Sequence, residues 1–239
     1  MTRTVRDVAR RLALLVAVLA FAAAHAQVGA GDRLVDQGRF EDAVARYDEA
    51  IAADGSNAAA YRQRARARVY WADDLPSDED DAKQRLYDLA IADAERAVAL
   101  TPDDPEAHLE VARALGRAAQ YRGVLASLNV AARVADELDL VLELDPENAD
   151  AWHARALYHH EVPWIAGGRG GLVVPAFERA IELAPDAIAH RVAFAGVLID
   201  REMYDAAAAQ LEAALALTPR SYLDERDLDE ARALQDRLP

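Results

Sequence analysis

Apolar residues recur along the chain in the three- and four-residue steps that put side chains on one face of an α-helix. The stretch from Asp224 to Leu238 shows the pattern plainly. Leu228, Ala231, Leu234 and Leu238 share one face and acidic residues occupy the outside. Composition points the same way. Apolar residues make up 53% of the 239 positions but aromatics only 6%. Alanine, the best helix former, carries much of the apolar content, whereas strands favour β-branched and aromatic residues. The expected fold class is all-α.

The helical segments fall into related words. Ala90 to Pro102 reads AIADAERAVALTP, and VLELDP follows at Val141 to Pro146. FERAIELAP occupies Phe177 to Pro185, and LEAALALTP occupies Leu211 to Pro219. An earlier copy, GRFEDAVARYDEAI at Gly38 to Ile51, has Gly55 where the proline would fall. Small residues at Ala43, Ala90 and Ala207 let paired helices approach closely, and proline ends the helix. Pro219 lies 34 residues after Pro185, while the other intervals are 47, 44 and 39. The additional residues are expected between the first and second helix of a pair, as at Leu75–Asp81 and in the Pro-Trp and Gly-Gly turn of residues 162–171. Tyr61, His108, Trp152 and Arg191 each stand six residues after the preceding turn and mark the first helices.

These words resemble the second helix and closing proline of the tetratricopeptide repeat, over residues 28–220. The resemblance implies a helical-hairpin solenoid of about five helix pairs. The expected organisation is a signal peptide at 1–26, the repeat domain at 27–220 and a C-terminal capping helix at 221–239. Residues 149–219, with Trp152, the Pro163-Trp164 and Gly-Gly turn and AFERA at Ala176–Ala180, resemble two narrower groups. One is the exported repeat proteins associated with TRAP-type solute transporters; the other is the regulator-of-microtubule-dynamics family. Both imply a scaffold or a binder of an apolar ligand. The transporter-associated proteins are typically lipoproteins, and this chain has no cysteine to acylate.

The N-terminus changes the picture further. Arg3, Arg6, Arg10 and Arg11 precede an apolar run from Leu12 to Ala24, and small residues flank a cleavage point near Ala26, before Gln27. That is the anatomy of a secretory signal peptide, which predicts a periplasmic or otherwise exported protein with no membrane span after cleavage. Lys and Arg total 27 against 42 Asp and Glu, a formal charge of -15. Removing the signal takes four arginines and one acid, Asp7, so the mature chain is more acidic still. A nucleic-acid partner is unexpected at that charge. The lack of cysteine excludes disulfides, a thiolate zinc site and a thiol nucleophile.

In stacked helix pairs the first helices line the concave face. Counting from the repeat starts puts Arg62 and Arg66 there, then Arg113 and Arg117, then His153, Leu157 and His160. Arginine forks pair with carboxylates, so this face is expected to take a protein or peptide partner with an acidic segment. The arginines could instead pair with the acidic stretch Asp73–Asp81. Arg64 and Arg68 fall at positions usually apolar, which implies either a shifted register or contact with that acidic turn. His153, His159, His160 and Glu161 have the wrong spacing for a helical metal site, and no metal or other cofactor is expected. Gly167–Gly171 lacks the lysine and strand of a phosphate-binding loop. No serine stands in a nucleophile elbow. The expected function is therefore an exported, non-enzymatic scaffold for protein–protein interaction in the cell envelope. A binder of a small apolar or acidic ligand linked to solute transport is the alternative.

Overall fold

The computed structural model describes residues 24–122 and 128–239. Residues 1–23, most of the expected signal peptide, lie outside that range. Among the described residues there are eleven α-helices and no strand. They form two compact units. The first runs to Pro102 apart from Asp36–Gly38, and those three residues with Asp103–Pro239 form the second.

In the first unit, α1 (described residues 24–36) pairs with α2 (Phe40–Ala53), and α3 (Ala58–Asp74) pairs with α4 (Asp80–Leu100). Ala43, Val44, Tyr47 and Ala67 form the core with Val28, Leu34 and Val35 against it, and the Tyr47 hydroxyl donates to Asp32 at 2.8 Å. Ala24 is fully buried with Ala50 and Ala60. The expected cleavage point at Ala26 falls within α1, and Val28 would remain as a packed residue of the mature chain.

In the second unit α5 (Pro105–Arg122) pairs with α6 (Leu128–Leu144), α7 (Ala149–Glu161) with α8 (Val173–Leu183), and α9 (Ile188–Asp200) with α10 (Tyr204–Leu215). The terminal α11 (Tyr222–Gln235) buries Leu228, Ala231 and Leu234 against α9 and α10. Phe177, Ala207 and Leu211 are fully buried. The long intervals have the expected source. Helices α3 and α4 are lengthened to 17 and 21 residues, and residues 164–172 form two 3-10 turns between α7 and α8.

Short-range chemistry makes the turns between pairs. Asp54 accepts from the Ser56 N–H at 2.9 Å and Asn57 from the Ala60 N–H at 3.0 Å, and Asp145 and Asn148 repeat this with Glu147 and Ala151. An Asp that closes the turn and an Asn that caps the next helix satisfy N–H groups left open at a helix start. The residue six places after the proline then reaches back. The Trp152 indole donates to the Pro146 carbonyl at 2.9 Å, and Arg191 donates to that of Pro185 at 3.2 Å. Two of the short turns within a pair use a left-handed residue. Gly38 supplies it at φ 72°, whereas the α9–α10 turn places Glu202 there at φ 60°. Only glycine adopts that conformation without steric cost.

Arg64 and Arg68 occupy their apolar-type positions with their own counter-ion. Asp93 of α4, its side chain 7% exposed, accepts from Arg64 Nε at 2.7 Å and Nη2 at 2.6 Å and also pairs with Arg68. Arg64 bridges to Asp48 of α2 as well. The partner is therefore a buried aspartate of the second helix, which neither a shifted register nor the acidic turn anticipates.

Candidate functional site

The first helices of the second unit, α5, α7 and α9, carry a continuous row of polar side chains. Arg113 lies 3.2 Å from Glu110 on its own helix and reaches Asp150 of α7 at 3.6 Å. Asp150 faces His190 Nε2 of α9 at 3.0 Å. The His190 ring lies against His153, centroids 4.8 Å apart, and His153 meets Phe177 edge-on at 5.6 Å. Two acids, a guanidinium and two imidazoles from three successive repeats thus meet in one row. Such a row can donate and accept hydrogen bonds, but nothing in it resembles a nucleophile beside its base.

The expected residues divide as follows. Arg113 and His153 belong to this row. Arg117 donates to Gln120 at 3.1 Å, and Gln120 in turn donates to Glu161 at 2.6 Å. His160 faces Asp200 at 3.5 Å, and Leu157 packs on the core of the unit. Arg62 and Arg66 are half-buried on α3 in the first unit, one turn apart. His159 points elsewhere, so the histidines of α7 do not converge. No cluster of three or more metal-type ligands occurs among the described residues. Sequence reading missed Glu110, Asp150 and His190. Aligning the repeat copies on Pro102 and Pro146 puts Glu110 and Asp150 one turn apart on the same face, whereas His190 stands about 100° round from the matching position after Pro185.

Burial decides the protonation of His153. His153 Nδ1 is sealed from water without a hydrogen-bond partner among the described residues, as is His190 Nδ1. That desolvation, with the charges of His190 and Arg113 and against that of Asp150, pushes the His153 pKa down to about 3. The folded protein therefore holds His153 neutral, while the unfolded chain takes up a proton as pH falls below about 6.5. Stability contributed by the neutral ring is full above that value and is lost as pH falls from there toward 3. Asp227, raised to about 6 by burial, works in the opposite sense over part of this range. Comparison with a His153→Gln variant removes that background. Between pH 7 and 5, urea unfolding should show wild type losing up to roughly 2 kcal/mol more than the variant. Equal losses would show that His153 titrates normally.

No helix among the described residues is long and apolar enough to cross a membrane. No curated protein matches the sequence. Among solved structures, the thermophilic TPR protein TTC0263 of Thermus thermophilus is similar at 20% identity with a TM-score of 0.71. The match covers 90% of this chain and 99% of that one. The pilF structure of Pseudomonas aeruginosa is 18% identical with a TM-score of 0.51, over 91% of this chain and 90% of that one. These likenesses establish the tetratricopeptide-repeat fold. The family model of regulator of microtubule dynamics protein 1-3 matches residues 28–165. The match starts far ahead of the stretch 149–219 in which the resemblance was expected and overlaps it only at 149–165. Because it spans more than half of the sequence, the chain belongs to the regulator of microtubule dynamics protein 1-3 family.

Proposed function

We propose that the protein is an exported scaffold whose first-helix face in the second unit holds a segment of a partner protein. The observation that carries this is the polar row of α5, α7 and α9, where Arg113, Asp150 and His190 of three successive repeats meet side by side. Charged and polar groups aligned across successive repeats offer a bound segment several hydrogen bonds along one line. The protein works by binding, with no bond made or broken. An acidic partner segment would exchange with Asp150 at Arg113 and meet Arg117 at the rim. Export rests on the basic and apolar N-terminal residues, and the cell envelope is the proposed place of action.

The mature chain from Gln27, used as bait in a cell-envelope fraction, should retain a partner. The pair Arg117→Glu with His160→Ala should reduce that retention at least tenfold without altering helical content. Equal capture by wild type and variant would exclude this face. Recovery of the native protein in the cytoplasm with Met1 intact would exclude export.

A further inference from the structure

The connection between α7 and α8 holds an apolar tip in solvent. Trp164 is 85% exposed and Ile165 beside it 72%, and the exposed Leu172 closes the same connection. The backbone builds this exposure in. Trp164–Ala166 form a 3-10 turn in which the Ala166 N–H donates to the Pro163 carbonyl at 2.8 Å and the Gly168 N–H donates to it at 3.1 Å. Gly168 lies so close to the Val162 carbonyl that a Cβ there would overlap it. The Tyr158 hydroxyl of α7 donates to the Ala166 carbonyl at 3.1 Å, and Arg201, after α9, donates to that of Gly170 at 3.1 Å. These ties hold the tip outward. No acid stands between Glu161 and Glu178, although the chain has 42. Arg169 is exposed and makes no ion pair among the described residues. The tip thus combines exposed apolar groups with an open cation.

We propose that this tip docks on the surface of an anionic phospholipid bilayer. An indole settles at the boundary of headgroup and acyl chain, where its ring is in apolar surroundings and its N–H still meets an acceptor. Ile165 would enter the acyl region beside it, and Arg169 would donate charge-assisted hydrogen bonds to a lipid phosphate. The neighbouring turn carries the exposed acids Glu202 and Asp205, and the whole chain is acidic. Both oppose wider contact with an anionic surface, so the tip alone engages and the attachment is reversible. The residues differ from those proposed to hold a protein partner, so either site can fail without the other.

The test mixes the full chain with vesicles of equimolar phosphatidylglycerol and phosphatidylcholine, the latter brominated in its acyl chains. Bromine there quenches the emission of an indole that enters the bilayer. The chain has three tryptophans, Trp71, Trp152 and Trp164. Wild type should be quenched, and Trp164→Phe, which keeps the other two, should not. The apolar run from Leu12 to Ala24 has no tryptophan and is common to both proteins, so its own attachment gives no signal. Arg169→Glu should raise the lipid concentration for half-quenching roughly fivefold or more, because a reversed charge is repelled by the anionic surface. Ile165→Asp should act in the same direction. All three side chains are exposed, so these variants keep the fold. Equal quenching of wild type and Trp164→Phe, or no quenching of wild type, overturns the proposal. An unquenched wild type that associates with itself through Trp164 would assign the tip to a second copy instead.

Discussion

Replacing Asp93 with alanine should destabilise the first unit by about 3–5 kcal/mol. Arg64 and Arg68 have side chains only 14% and 11% exposed, and Asp93 is the acid that both contact. Removing it leaves two guanidinium groups close together in a site where water cannot replace the lost carboxylate. Asp48 still touches Arg64, but its side chain is 53% exposed, so it compensates only in part. Asp93→Asn should fall between wild type and alanine, because it keeps a hydrogen-bonding oxygen and loses the charge. Simultaneous replacement of Arg64, Arg68 and Asp93 by apolar residues of similar volume should recover much of the loss, since a buried ion network itself carries a desolvation cost. Urea unfolding of the four proteins gives the ranking. A loss below 1 kcal/mol for Asp93→Ala would show that the two arginines reach solvent.

Phe177→Ala should cost about 3–5 kcal/mol in the second unit. The ring is fully buried and stacks on Phe194 with centroids 4.9 Å apart. Its deletion leaves a cavity that neighbouring helices, fixed by their own hairpins, close only in part. The effect also reaches the polar row, because Phe177 is the apolar wall against His153. Water entering the vacated space would solvate that ring and move its pKa up from about 3 toward the ordinary histidine range. Thermal unfolding and titration of the His153 resonance in the same variant test both claims. A destabilised protein with His153 unchanged would mean that the ring is kept neutral by its charged neighbours alone.

Much of the fold was legible because its signals are local. The turn at Asp145–Asn148 is closed by hydrogen bonds that span two or three residues, and Trp152 returns to a carbonyl only six residues away. Leu228, Ala231 and Leu234 are buried as the spacing of α11 implies. The candidate site was harder to read. Arg113 and His153 were placed on a shared face from repeat phase, and they do meet one polar row. Glu110, Asp150 and His190 went unnoticed because each is unremarkable in its own helix and acquires meaning only beside residues of another repeat.

By itself the sequence determined an all-helical chain of hairpins, the prolines that close the second helices, and the apolar face of the terminal helix. Those properties follow from helical periodicity, small residues and capping groups within a few positions of one another. The tertiary structure decided which charge meets which. Arg64 finds Asp93 at a separation of 29 residues, and His190 finds Asp150 at 40. It also decided that His159 is buried while its neighbour His160 faces Asp200. Insertions of unequal length between the helices of a pair break the constant period, so the chain does not state the register between one repeat and the next. Packing sets that register, and the buried ion pairs and unpartnered imidazoles are its consequence.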